Sequence, residues 1–158
     1  MDLYESLKYK SIKDISKIDL EKYAPKISTI MENKIHIKYS GYEYNRYVDV
    51  DNDLCRFIGL FVANGNASTK KSFSITSNRK DFNNIKLSQQ IMKRLLGRNP
   101  QKYESKKALC TSISSRSVLH STWLYNECKS KINKQLPDWC LYLPLEKQKH
   151  ILQGLMMG

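Results

Sequence analysis

Eighteen lysines and arginines lie between residues 54 and 158, against five acids in the same stretch. Cations at that density suit the neutralisation of a polyanion, and nucleic acid is the commonest one. The excess is local: residues 1–53 hold 9 basic and 10 acidic side chains, while the whole chain carries +12. Lys70, Lys71, Arg79 and Lys80 flank one alternating stretch, and Lys102, Lys106 and Lys107 flank a second. Cations at strand ends beside polar strand faces are placed for phosphate contacts, although a solvated surface lysine is the competing reading for each taken singly. Lys93, Arg94 and Arg98 fall at the end of a helical pattern, where cations complement the helix dipole, and are read as structural.

Other chemistry finds little footing. Cys55, Cys110, Cys128 and Cys140 include no Cys-x-x-Cys pair, so a zinc site is not expected. Scattered thiols behind a start that lacks a basic-then-apolar leader read as reduced, intracellular core residues. His36, His120 and His150 are far apart. No Gly-x-x-x-x-Gly-Lys phosphate loop, His-Glu-x-x-His helix or Gly-x-Ser-x-Gly elbow occurs. No apolar run approaches the roughly 20 residues of a membrane span, so no membrane partner is expected.

The elements that would position the cations follow from periodicity. With 158 residues and 41% hydrophobic content, the chain suffices for one domain with a core. Residues 1–43 read as an N-terminal extension. Ile12, Ile15 and Ile18, then Ile27, Ile30 and Met31, lie near helical spacing and predict short helices broken near Pro25. Residues 34–39 alternate as a strand, turn at Ser40-Gly41 and return through Tyr42 to Val50. Tyr42, Tyr44 and Tyr47 fit cross-strand packing better than base stacking.

Residues 44–158 read as an α+β domain. Asp51-Asn52-Asp53 caps an apolar helix that Gly65 ends. Residues 70–77 alternate, with Phe73 and Ile75 on one face. Asp81 opens a helix carrying Phe82, Ile85, Met92, Leu95 and Leu96 on one side, ending at Gly97. Strands follow near 101–105 and 107–114, with Leu109, Thr111 and Ile113 on one face. A helix near 117–129 carries Val118, Leu119, Trp123 and Tyr125. Pro137 and Pro144 bracket a short turn, and a last helix starts near Leu145. The order is helix, strand pair, helix, strand pair, helix, then a further helix. Each strand has one apolar face, so the sheet is expected to cover helices on one side and leave a polar side free.

Two of these helices carry related segments. Residues 57–65 read Phe-Ile-Gly-Leu-Phe-Val-Ala-Asn-Gly, and residues 152–158 read Leu-Gln-Gly-Leu-Met-Met-Gly. Aligned on Gly59 and Gly154, they share Gly-Leu and a small residue four positions on, Ala63 or Gly158. That spacing puts the small residues on one helical face, where two backbones can approach closely.

Here the chain resembles the LAGLIDADG homing endonucleases of inteins and introns. Both segments fit the family's signature. Asn45 to Asp51 is similar to its lead-in, and Gly65-Asn66-Ala67-Ser68 to its exit. Ile75-Thr76-Ser77-Asn78 with Lys80-Asp81 is similar to the strand-to-helix passage. Leu136-Pro137-Asp138-Trp139 with Leu143-Pro144 is similar to the approach to the second motif. The resemblance covers about 44–158. It implies that the signature helices form the interface between two similar halves, and that each half grips the DNA major groove with a saddle of antiparallel strands. It also implies that an acid before the final Gly of each signature binds magnesium, which activates water for double-strand cleavage.

The chain departs from that pattern. Asn64 occupies the first acidic position, and Asn there is also favoured as a helix C-cap. The second acid would fall one residue past Gly158. The expected protein is therefore a double-stranded-DNA-binding portion of such an enzyme, inactive as it stands and without a tight magnesium site. Its expected partners are duplex DNA and, through the signature helices, a second half or a second copy. A shortened chain, a natural fragment and a degenerate binding or assembly module each fit these departures.

Overall fold

The structure is a computed structural model that describes residues 14–68, 72–128 and 134–158. The N-terminal region is extended rather than helical. β1 (Lys17–Asp19) leads into a 3-10 turn at Glu21–Tyr23, then β2 (Ser28–Ile30) and β3 (Lys34–Ile37). β4 (Glu43–Asn45) returns along β3, and β5 (Tyr47–Asp49) leaves for β1. The helices expected before residue 34 are thus corrected for the described part, while Ile12 lies outside it. Ile18 sits opposite Val48 and Ile30 opposite Ile35, so cross-strand pairing overrides a short near-helical spacing.

α1 (Asn52–Asn64) forms as its sequence requires. The Asp51 carboxylate accepts from the Leu54 amide at 2.9 Å, and Leu54, Cys55, Phe57, Ile58, Leu60 and Phe61 are buried. The helix passes directly into β6 (Gly65–Ala67). Gly65 is required by close approach, since a Cβ there would collide with the Phe61 ring. β7 (Ser72–Asn78) pairs with β6, and α2 (Phe82–Leu96) follows. α2 stops at Gly97, whose φ of 70° is the left-handed conformation glycine tolerates. β8 (Gln101–Ser105), β9 (Cys110–Arg116), α3 (Val118–Cys128), a 3-10 turn at Asp138–Tyr142 and α4 (Leu145–Met157) complete the order.

The fold is α+β, with antiparallel sheets in the order β1-β5, β2-β3-β4 and β6-β7-β9-β8. One apolar core joins Leu20, Tyr23, Ile35 and Tyr44 to α1 and to the inner face of the four-stranded sheet, so it runs across the division drawn at residue 43/44. Three apolar residues are corrected to the surface. Phe82 is 75% exposed at the first turn of α2, Leu109 lies in the β8–β9 turn with φ 52°, and Val118 is exposed at the start of α3. Each stands at an element end, where periodicity no longer dictates direction. Asp81 holds the N-cap position of α2 without a side-chain capping bond.

Candidate nucleic-acid interface

The largest element-to-element contact joins α1 to α4, and it is centred on glycine. A Cβ on Gly59 would overlap the Ile151 carbonyl and come within 2.8 Å of the Leu155 amide. A Cβ on Gly154 would overlap the Arg56 carbonyl and come within 2.8 Å of the Leu60 amide. Each glycine faces the carbonyl three residues before its counterpart and the amide one residue after it. The sequence repeat is therefore expressed as a pseudo-two-fold contact between parallel helices. One turn on, a Cβ at Gly158 would meet the Ala63 methyl and lie 2.9 Å from Asn64 Oδ1, so the small residues Gly59, Ala63, Gly154 and Gly158 line one seam.

Polar contacts set the ends of the seam. Arg56 Nε donates to Gln153 Oε1 at 3.2 Å, and Arg56 Nη2 lies 2.9 Å from His150 Nδ1. At the other end, buried Asn84 of α2 donates from Nδ2 to the Met157 carbonyl at 2.8 Å, satisfying a terminal carbonyl of α4. Asn64 stands at the junction of α1 with the sheet, because Gly65 pairs with Ile75 in the middle of β7.

Strand register sorts the sheet into two faces. Phe73, Ile75 and Ser77 of β7 and Thr111, Ile113 and Ser115 of β9 turn inward and are buried. The opposite face carries Ser72, Ser74, Thr76 and Asn78, then Cys110, Ser112, Ser114 and Arg116, then Gln101, Tyr103 and Ser105 of the edge strand β8. Thr76 and Ser112 hydroxyls meet across it at 2.7 Å. Among the described residues no element covers this face, and its hydroxyls and amides offer both donors and acceptors.

The predicted cations divide. The Arg79 amide donates to the Leu109 carbonyl at 3.0 Å, and the Lys80 amide donates to Asn78 Oδ1 at 2.9 Å. The turn after β7 and the β8–β9 turn therefore meet at one end of the sheet, bringing Arg79 and Lys80 beside Lys106 and Lys107. Lys102 stands apart. It pairs in register with inward-facing Ile113, and its ammonium lies 3.4 Å from Glu104, so it sits at the sheet edge on the helix side. Lys70 and Lys71 lie outside the described residues. Arg94 bonds Asp51 at 2.6 Å and the Asp49 carbonyl at 3.0 Å, a structural clamp on the start of α1.

Two residues of the polar face escaped the sequence reading: Tyr103, 70% exposed, and Arg116. The alternation of β9 places Arg116 outward, whereas Tyr103 faces outward only through the register of β8 against β9. Burial disfavours the thiolate at the buried cysteines: it pushes Cys55 up to about 11 and Cys128 up to about 12, and raises Cys140 as well. No helix among the described residues is long and apolar enough to cross a membrane. The chain matches no known protein-family profile, and no curated protein is similar to it in sequence.

Proposed function

We propose that this chain is the double-stranded-DNA-binding portion of a LAGLIDADG-type homing endonuclease: one helix–strand-pair–helix–strand-pair–helix half followed by a second signature helix. The observation that carries the reading is the pseudo-two-fold contact of α1 with α4 through Gly59 and Gly154. The uncovered polar sheet face with Arg79, Lys80, Lys106 and Lys107 at one end supports it further. In this reading the cations neutralise phosphates, and the hydroxyls, amides and Tyr103 meet base edges in the major groove.

The resemblance implies magnesium at the sheet end of α1. There the chain offers the neutral amide of Asn64, a weak ligand for a hard cation that favours carboxylates. Among the described residues no group of three or more His, Cys, Asp or Glu side chains converges to hold a metal ion. The Asn64 amide does not fit the ion. That same amide favours a second reading, a degenerate module that binds nucleic acid or serves in an assembly without cutting.

Affinity for duplex DNA, titrated at several ionic strengths, tests both readings. The logarithm of the binding constant should fall with that of salt, with a slope of about −0.9 per neutralised phosphate. A flat titration overturns DNA binding by this face. Replacing Arg79, Lys80, Lys106 and Lys107 together by Ala should remove most of the slope.

A further inference from the structure

The hairpin of β3 and β4 presents a side chain that packing does not explain. Tyr39 at its tip has φ 72°, a left-handed backbone that bulky residues avoid, and is 85% exposed. Lys38 Nζ lies 5.4 Å from the Tyr39 ring centroid. The tip is pinned rather than loose. The Lys38 amide donates to Ile27 O at 3.1 Å, the Ile37 amide to Tyr42 O at 2.8 Å, and Ser40 Oγ to Ile37 O at 3.3 Å. The fold thus holds the Tyr39 backbone in an unfavourable conformation, with its ring and the Lys38 ammonium both exposed.

This hairpin is tied to one end of the polar sheet face. Arg98 stacks its guanidinium 4.1 Å from the Tyr42 ring centroid, donates to Tyr44 OH at 3.0 Å and donates to the Arg116 carbonyl at 2.5 Å. Arg116 pairs with Ser72 on the outward side of the sheet, at the end opposite Arg79 and Lys80. A cleft of about 340 Å³ between hairpin and sheet end is lined by Ile37, Ser40, Tyr42, Tyr44, Arg116 and Val118. Ser40 and Arg116 thus line one cleft, which brings the hairpin tip beside the end of the sheet.

We propose that Lys38, Tyr39 and Arg116 form a second contact to the same DNA duplex, gripping the sugar-phosphate backbone on the flank of the segment under the four-stranded sheet. This rests on the reading of that sheet as a DNA-binding face. Lys38 and Arg116 supply positive charge, and the Tyr39 hydroxyl donates to a phosphate oxygen while its ring covers the adjoining sugar. The hairpin acts as a clamp and carries no base readout.

The test uses the full chain and a duplex of about 30 base pairs, several helical turns long, titrated by fluorescence anisotropy at several salt concentrations. Tyr39→Asn keeps a residue type that tolerates left-handed backbone, so melting should be unchanged, while affinity falls about tenfold, the loss of one charge-assisted hydrogen bond. Lys38→Ala should reduce the salt slope by about 0.9. The double variant Lys106→Ala with Lys107→Ala serves as the sheet reference. Loss in both sets supports the clamp. Loss in the sheet set with wild-type affinity and slope in both hairpin variants overturns the clamp and leaves the sheet reading standing. Loss in the hairpin set alone, or no binding by the unaltered chain, overturns the sheet reading and the shared duplex with it.

Discussion

His120 is fully buried, with Nδ1 2.7 Å from Ser117 Oγ and its ring edge-on to Tyr44. Burial, reinforced by the Arg98 charge, pulls its pKa from 6.5 down to about 3. The unfolded chain accepts a proton near pH 6.5 that the fold refuses until about pH 3. This contribution to stability is complete above 6.5 and is lost progressively as pH falls toward 3. Asp19 is held low by Arg46. Burial would raise Asp51, but the Leu54 amide and Arg94 outweigh it. Both carboxylates lose their contributions as pH falls through the carboxylate range, below where the histidine's decline begins. The urea midpoint should decline between about pH 6.5 and 4 in the wild type and stay nearly level in His120→Gln. Equal declines would place the titrating group elsewhere. At Asn64 a single atom separates amide from carboxylate. Asn64→Asp should create a weak manganese site, read by calorimetry against a silent wild type, and at most single-strand nicking of a supercoiled plasmid. Linear product from the unaltered chain, abolished by chelator, would mean that the ligand position is misplaced.

Among the elements, α1 and α4 depend most on what is absent from their side chains. Glycine inside a helix costs roughly 1 kcal/mol against alanine, and here two are kept because backbone atoms of the neighbouring helix occupy the Cβ positions. Gly59→Ala or Gly154→Ala should therefore destabilise despite the better helix propensity, by about 1–3 kcal/mol from overpacking. In a domain of this size that lowers the melting temperature by several degrees. Gly97→Ala is the contrasting case. Nothing lies within 4 Å of its missing Cβ, so only the left-handed backbone resists, at about 1–2 kcal/mol, and Gly97→Asn should be milder. Scanning calorimetry of the four variants separates the two causes: Asn at position 97 rescues, whereas no small side chain rescues 59 or 154. Unchanged melting of Gly59→Ala and Gly154→Ala would remove the seam from the account.

Across the whole molecule, the two glycine-paired helices α1 and α4 are covered unequally. Under the repeat alignment Leu152 and Met156 correspond to Phe57 and Phe61. The phenylalanines are fully buried, whereas Leu152 is 57% and Met156 84% exposed, with Leu141 and Leu145 exposed beside them. An apolar stripe of this kind favours association. Sedimentation velocity should show self-association that rises with concentration, and Leu152→Glu with Met156→Glu should abolish it without lowering the melting temperature. A chain monomeric at all concentrations would show that the stripe does not drive pairing of two copies. Charge is divided as well: residues 54–158 carry the basic excess, while the N-terminal strands are nearly balanced. Any polyanion should therefore be drawn first to the four-stranded sheet.

α1, β7 and α2 were legible in the sequence because each is long enough to show its period and is bounded by a residue with a defined local role, Asp51 before α1 and Gly97 after α2. The repeat around Gly59 and Gly154 was legible too, since small residues four apart share a helix face whatever surrounds them. β4 was legible as the return of the hairpin after Ser40-Gly41, but β1 and β2 were not, and β5 was read as part of that return whereas it pairs with β1. Three residues carry no measurable period, and their conformation comes from partners far along the chain, such as Val48 for Ile18. Lys102 shows the same limit at a candidate contact: its charge is written in the sequence, but the register of β8 against β9 turned it toward the helices and Tyr103 toward the open face. A residue's type and its local spacing are properties of the chain alone. Which face it ends on, and which distant cations it joins, depends on non-local pairing that only the assembled sheet decides.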